Sequence, residues 1–330
     1  MLRTAVIGAG RIGKIHAANV ARHPRARLVA VVDPLEEAAR TLAQSLGCNW
    51  SMRADELIAG PDIDAIVICT PTNTHVDLIE RAANAGKAIL CEKPIDLDIA
   101  KVDRCLTVLG RAPVPLLLGF NRRFDPSAAA LKRAIDAGEI GTLRQVIITS
   151  RDPGPPPMAS IPSTGGLFRD MTIHDFDMGR WLLGEEPVEV WATASCLVDP
   201  QIAALGDVDT AMVVMRTASG RQCHINNCRQ AVYGYDQRLE AFGSAGMIAN
   251  DNLRPTTLRR CTANATEIHD PLLPFFLERY AESYERELDA FLAATLDKKP
   301  VPVNANDGRR ALVLANAAIE ACQTGRAVRV

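Results

Sequence analysis

A short apolar strand running straight into three spaced glycines constrains this chain more than any other feature. Leu2 to Gly8 reads as a strand that ends in Ala5-Val6-Ile7, and Gly8-Ala9-Gly10-Arg11-Ile12-Gly13 follows with G-x-G-x-x-G spacing. Arg11 to Arg22 then has the periodicity of a helix. Strand, glycine turn and helix in that order open a βαβ unit whose helix N-terminus offers free N–H groups to an anion. Gly8 allows the tight turn, Gly10 the close approach of backbone to a pyrophosphate, and Gly13 close packing of helix on strand. Arg11 and Ile12 complete the loop and join the expected cofactor contacts. Asp33 ends the second predicted strand, 20 residues after Gly13. A carboxylate there accepts hydrogen bonds from ribose hydroxyls and repels a 2′-phosphate, so the expected cofactor is NAD rather than NADP.

The first ~120 residues alternate apolar runs with helical patterns, the grammar of a parallel α/β sheet. Strands are predicted at Arg27–Asp33, Asp64–Cys69, Ala88–Cys91 and Val114–Gly119, with helices at Pro34–Leu46, Thr74–Asn84 and Ile99–Leu109. After Phe124 strands follow strands: Arg144–Ser150, Val188–Val198, Asp209–Arg216, Arg221–Asn227 and Gln237–Phe242. Two helical stretches, Phe275–Leu296 and Asp307–Thr324, close the chain. The expected fold is α/β: a doubly wound Rossmann domain over 1–122, then an α+β domain with a large, mostly antiparallel sheet over 123–330. The second domain is assigned substrate binding and oligomerisation, and its C-terminal helix is available to pack back on the first. A Pro-rich segment, Asp152-Pro153-Gly154-Pro155-Pro156-Pro157, reads either as a surface loop or as a cover over substrate.

Charge and cysteine usage narrow the function classes. A net charge of −2, with short scattered basic clusters, argues against a nucleic-acid binder. No run approaches the roughly 18 apolar residues of a membrane span, and Met1 leads almost directly into the first strand, leaving no room for a signal peptide. Nine cysteines without a C-x-x-C pair suit a reducing compartment, and the expected location is the cytoplasm. Cys223 and Cys228 flank His224 with no second ligand cluster, so no metal is expected.

Two polar groupings carry the chemistry. Cys91-Glu92-Lys93-Pro94 follows a buried strand at the C-terminal edge of the predicted sheet, where open α/β sheets bind ligands. In Arg169-Asp170-Met171-Thr172-Ile173-His174-Asp175, a helix would bring Asp170 and His174 to one face. With Gly119-Phe120-Asn121-Arg122-Arg123-Phe124-Asp125, these segments resemble the glucose–fructose oxidoreductase/inositol dehydrogenase/rhizopine-catabolism (Gfo/Idh/MocA) family over essentially the whole chain. Asp170–Met178, Ala192–Ser195 and Tyr233-Gly234-Tyr235-Asp236 are most similar to bacterial inositol 2-dehydrogenases.

The resemblance implies hydride transfer from a ring carbon of a cyclic polyol to NAD+, in inositol catabolism. It makes His174 the general base, Asp170 the residue that orients it, and Lys93 the donor to the reacting oxygen. Lys93, Asn121, Arg122, Asp152, Asp170, Thr172, His174, Tyr233 and Tyr235 become expected substrate contacts. Thr70, Pro71, Asn73, His75, Glu92 and Lys93 become expected contacts on the nicotinamide side. The family's dimers and tetramers imply a homo-oligomer, read as a homotetramer. The alternatives are a dehydrogenase of another sugar or polyol, and a non-catalytic NAD-binding regulator on the same fold.

Overall fold

The computed structural model describes all 330 residues and divides into two compact units. The first comprises Met1–Phe124 with Glu282–Leu312, and the second Asp125–Ala281 with Val313–Val330.

In the first unit the alternation of strand and helix is regular. It runs β1 (Leu2–Ile7), α1 (Arg11–Arg22), β2 (Ala26–Val32), α2 (Glu36–Leu46), β3 (Asn49–Ser51) and α3 (Ala54–Ala59). Then come β4 (Ala65–Ile68), α4 (His75–Asn84), β5 (Ala88–Glu92), α5 (Ile99–Arg111) and β6 (Leu116–Gly119). The six strands pair in parallel in the order β3-β2-β1-β4-β5-β6. Every residue of β4 and β6 is buried, which is why these strands read as unbroken apolar runs. The order reverses between β1 and β4, which opens a crevice at the C-terminal ends of those two strands. Helix starts are marked by sequence where solvent meets them: Asp98 accepts a hydrogen bond from Ala100 N at the start of α5.

The second unit opens with α6 (Pro126–Asp136), capped by Asp125, whose carboxylate accepts from Ser127 N and Ala128 N. It continues through β7 (Leu143–Arg151), the short helices α7 (Ile161–Thr164) and α8 (Gly166–Asp170), and α9 (Thr172–Leu183). Next come β8 (Pro187–Ser195), α10 (Pro200–Ala204), β9 (Thr210–Thr217), β10 (Gln222–Cys228), β11 (Asp236–Gly243) and β12 (Met247–Asn250). A ribbon of β13 (Arg259–Arg260) and β14 (Ile268–His269) leads to α11 (Phe276–Arg279). The chain ends with α12 (Ala281–Leu296), α13 (Ala305–Thr324) and β15 (Val328–Arg329).

The large sheet has seven strands in the order β12-β11-β7-β10-β9-β8-β15. All neighbours are antiparallel except β7 and β10, which run parallel. Its two faces differ. Val190, Met215, Cys223, Val146 and Ala241 form one cross-strand row and are all buried, on the face that takes α9. One residue along, Trp191, Val214, His224, Ile147 and Glu240 form the row on the opposite face. There Trp191 is 60% exposed, and Val214, Ile147, Met212 and Phe242 are exposed with it.

The Pro-rich segment is a loop broken by a turn of 3-10 helix at Met158–Ser160 and by α7. The expected single helix through Asp170 and His174 is interrupted at Met171, between α8 and α9. Thr172 accounts for part of this break. Its Oγ1 lies 3.3 Å from Leu167 O and 2.7 Å from Asn227 Oδ1, so the side chain competes for helix-backbone groups.

Candidate active site

In the first unit the glycine turn is built as its spacing requires. Gly8 has φ +104°, and a Cβ there would meet Cys69 O at 2.4 Å. A Cβ on Gly13 would meet Gly8 O at 1.8 Å, so α1 packs on the turn only because that residue is glycine. Gly10 has nothing within 4 Å of its Cβ position, which leaves open space where backbone would face a pyrophosphate. Gly10 caps α1 without a side-chain hydrogen bond, so the helix N-terminus keeps its donors for a ligand. Arg11, the first residue of the helix, is exposed, and Ile12 is half-buried. Asp33 is fixed beside this turn: one carboxylate oxygen accepts from Ala9 N at 2.8 Å and the other from Leu35 N at 2.9 Å. The open Gly10 cradle, the uncapped helix and the positioned carboxylate together fit a dinucleotide with free ribose hydroxyls.

The segments after β4 and β5 hold each other. Thr70 Oγ1 bonds Thr74 Oγ1 at 2.6 Å, and Thr74 donates to Pro71 O. Pro71 and Asn73 are exposed, as a ligand-facing loop requires. His75 is 1% exposed, and its two ring nitrogens lie 2.8 Å from Thr70 O and 2.8 Å from Pro94 O. Burial lowers its pKa, while the two carbonyls oppose that shift. His75 therefore acts by tying the loop after β4 to the loop after β5. Lys93 stands in that second loop, half-buried, before a cis bond to Pro94. Glu92 turns inward and accepts from His16 Nε2 at 2.8 Å. Asn121 and Arg122, in the turn after β6, are both buried, and the Asn121 side-chain nitrogen has no hydrogen-bond partner.

In the second unit the expected residues gather around one that the sequence did not single out. Arg229, 1% exposed, reaches Asp170 Oδ2 at 3.5 Å and Asp152 Oδ2 at 3.9 Å. A buried guanidinium between them fixes the orientation of both carboxylates. His174 is half-buried in the first turn of α9. Beneath it, Thr172 Oγ1 bonds Asn227 Oδ1, and Asn227 Nδ2 donates to Asp175 Oδ2 at 2.8 Å. Thr172 is wholly buried, so its hydroxyl serves this network.

The two tyrosines take different surroundings. Tyr233, 49% exposed, donates to Asp236 Oδ2 at 2.7 Å and accepts from Arg151 at 2.8 Å. Tyr235 is buried, with its ring edge-on to Phe275 at 5.4 Å and Tyr280 at 6.1 Å. A tyrosine so packed supports the wall of a site more than it meets a ligand.

Residues 2–120 match the oxidoreductase family with an NAD-binding Rossmann fold, and residues 128–249 match the GFO/IDH/MocA C-terminal domain. The chain is 50% identical over 329 residues to the inositol 2-dehydrogenase of Rhizobium meliloti strain 1021, covering 100% of this chain and 99% of the relative. It is 46% identical over 330 residues to the myo-inositol 2-dehydrogenase of Thermotoga maritima, covering 100% and 98%. Its structure is similar to that of scyllo-inositol dehydrogenase from Lactobacillus casei with bound NAD(H) and scyllo-inositol. There the TM-score is 0.91 at 31% identity, over 100% of this chain and 99% of the other. The cofactor is NAD, and the chain belongs to the GFO/IDH/MocA oxidoreductase family, both of whose domains it carries in order.

Proposed function

We propose that this protein oxidises a ring hydroxyl of myo-inositol, or of a close isomer, to the ketone, as a step in inositol catabolism. The observation that carries this reading is the match over the full chain, at 50% and 46% identity, to two inositol 2-dehydrogenases. Bound NAD+ supplies the acceptor for the hydride that leaves the hydroxyl-bearing carbon. The hydroxyl proton passes to His174, because a neutral imidazole accepts a proton near neutral pH. Asp170, held by Arg229, orients His174 and stabilises the imidazolium. Lys93 donates to the reacting oxygen and offsets the negative charge that develops on it. The atoms balance as polyol plus NAD+ giving ketone, NADH and a proton.

The remaining hydroxyls of a polyol call for many hydrogen-bonding groups. Asn121, Arg122, Asp152 and Tyr233 supply them, with Thr172 and Tyr235 supporting from behind. Thr70, Pro71, Asn73 and Glu92 shape the nicotinamide side, and Gly8, Gly10, Arg11, Ile12, Gly13 and Asp33 the remainder of the dinucleotide. Steady-state turnover of myo-, scyllo- and D-chiro-inositol and of aldoses, each with NAD+ and NADP+, tests the reading. The expected result is highest kcat/KM for an inositol with NAD+; an aldose preferred over every inositol would overturn it.

We read the protein as a homo-oligomer, a tetramer, of the cytoplasm. Support comes from the apolar row Trp191, Val214 and Ile147 on the exposed sheet face, and from nine cysteines that are all free. No helix is long and apolar enough to cross a membrane. Light scattering at micromolar concentration should give a mass above one chain, and Trp191→Glu should lower it.

A further inference from the structure

Behind the Lys93 turn lies a cluster of titratable groups that takes no part in the proton and hydride transfer. His16, on the inner face of α1, is 1% exposed, and its Nε2 is hydrogen-bonded to Glu92 Oε1 at 2.8 Å. The Tyr284 ring on α12 stands edge-on to His16, 5.5 Å between centroids. One turn later on the same helix, Glu287 is 0% exposed, and neither of its carboxyl oxygens has a hydrogen-bond partner. One polar atom from each of His16, Glu92 and Glu287 lies within 4.8 Å of the others. On the far side, the backbone of β6 confines Glu92: a Cβ on Gly119 would sit 3.1 Å from Glu92 Oε2.

An ionised carboxylate at Glu287 would be unstable for two reasons. It is wholly buried and neither oxygen meets a hydrogen-bond donor, which strongly disfavours the charged form. It would also face a second carboxyl group at short range, and two carboxylates so placed do not both ionise. The groups around it offer no relief. They are His16 from α1, Cys69 beyond β4, Glu92 from β5, and Tyr284 from its own helix. Burial and then Glu92 hold the Glu287 carboxyl well above the usual range. The same burial raises the Cys69 and Cys91 thiols, which stay neutral.

We propose that Glu287 is a positioning residue of this enzyme: closing one buried pocket with His16 and Glu92, it confines the Glu92 side chain and through it fixes the turn that carries Lys93. The proton lets two carboxyl groups share one pocket, and the pocket joins three elements of the first unit. These are the helix that follows the dinucleotide turn, the strand that ends at Glu92, and α12. The inference rests on the reading of Lys93 as the donor to the reacting oxygen.

Glu287→Gln and Glu287→Met test it. Gln keeps the shape, polarity and neutrality of the protonated acid, whereas Met fills similar space with no polar group. Met should lower kcat at least ~10-fold with the KM for NAD+ within about 3-fold, because a displaced Lys93 is felt mainly in the transition state. Gln should restore most of that turnover. A second readout, in the enzyme without substrate, is the difference in Tm between Gln and wild type across pH 6 to 9.

In the unfolded chain Glu287 ionises in the ordinary glutamate range, while in the fold it keeps its proton. Wild-type stability therefore falls as pH rises, and the Gln variant, which lacks the proton, escapes that loss. The Tm difference should widen in favour of Gln as pH increases. A difference independent of pH, Gln as damaging as Met, or Met with normal turnover would each overturn the proposal. A stoichiometric divalent cation in the purified enzyme would do so too, since the same three groups would then be ligands. Lys93→Ala run alongside separates the two ideas: normal turnover there removes Lys93 from the mechanism, while the Tm series still reports the proton on Glu287.

Discussion

Gly10→Ala and Gly13→Ala separate what the glycine turn does for the fold from what it does for the cofactor. A Cβ on Gly13 would lie 1.8 Å from Gly8 O and 2.8 Å from Gly8 C, both backbone atoms. Relief requires α1 to retreat by more than ~1 Å to reach an ordinary contact near 3.5 Å. Overpacking costs about 1–3 kcal/mol, and rigid backbone places this case at the upper end. Alanine in a helix returns about 1 kcal/mol over glycine, leaving a net loss of ~2 kcal/mol. For cooperative melting of the first unit, at roughly 2–4 °C per kcal/mol, Tm falls by about 4–8 °C.

Gly10 differs, because a Cβ there meets nothing within 4 Å. Only a weaker helix cap is lost, about 1 kcal/mol or less. The methyl group does enter the space where the pyrophosphate approaches, so the Kd for NAD+ should rise at least ~10-fold, or about 1.4 kcal/mol. Calorimetric melting of the free protein and isothermal titration with NAD+ measure the two effects. Unchanged NAD+ affinity in Gly10→Ala, or a wild-type Tm in Gly13→Ala, would refute the reasoning.

Lys93→Ala and His174→Ala should each lower kcat by at least ~10² with the Kd for NAD+ retained; stopped-flow and titration separate the two. Arg229→Lys keeps the charge but cannot reach Asp152 and Asp170 with two nitrogens. It should lower kcat by roughly 10-fold with little change in Tm, and full activity would mark the arginine as structural. Burial opposes ionisation of Asp209, but N–H groups of Leu197, Val198 and Asp199 hold its pKa down at about 2. Its contribution is present above the ordinary aspartate range and is lost as pH falls toward 2, so Asp209→Asn should flatten the fall in Tm between pH 4 and about 2.

What was legible in the sequence is what local chemistry dictates. The glycine spacing named the turn, and α1 begins and ends at the residues its periodicity indicated, Arg11 and Arg22. Buried parallel strands such as Ala65–Ile68 announced themselves as apolar runs. The short edge strands Asn49–Ser51, Met247–Asn250 and Val328–Arg329 did not, since two to four residues carry no period. The parallel pairing of β7 with β10 was equally hidden, because a register that pairs Gln145 with Gln222 and Arg151 with Cys228 leaves no local mark. The same limit governs the site. Lys93 and His174 stood out beside a strand end and a Gly-Gly turn, whereas Arg229 and Glu287 draw their significance from partners such as Asp170, 59 positions away, or from burial against α1 and β5. His75 was visible as a polar residue after a strand, but that it clasps two carbonyls depended on Pro94 folding back beside it.

The most direct test of the account is the fate of the hydrogen on the oxidised carbon. Myo-inositol carrying deuterium on every ring carbon should be incubated with NAD+ and the enzyme, and the nicotinamide product analysed by mass spectrometry and NMR. The account expects one deuterium at C4 of the reduced cofactor and one equivalent of ketone. Ketone formed with unlabelled cofactor, or no reduction of NAD+ by any inositol, would contradict it.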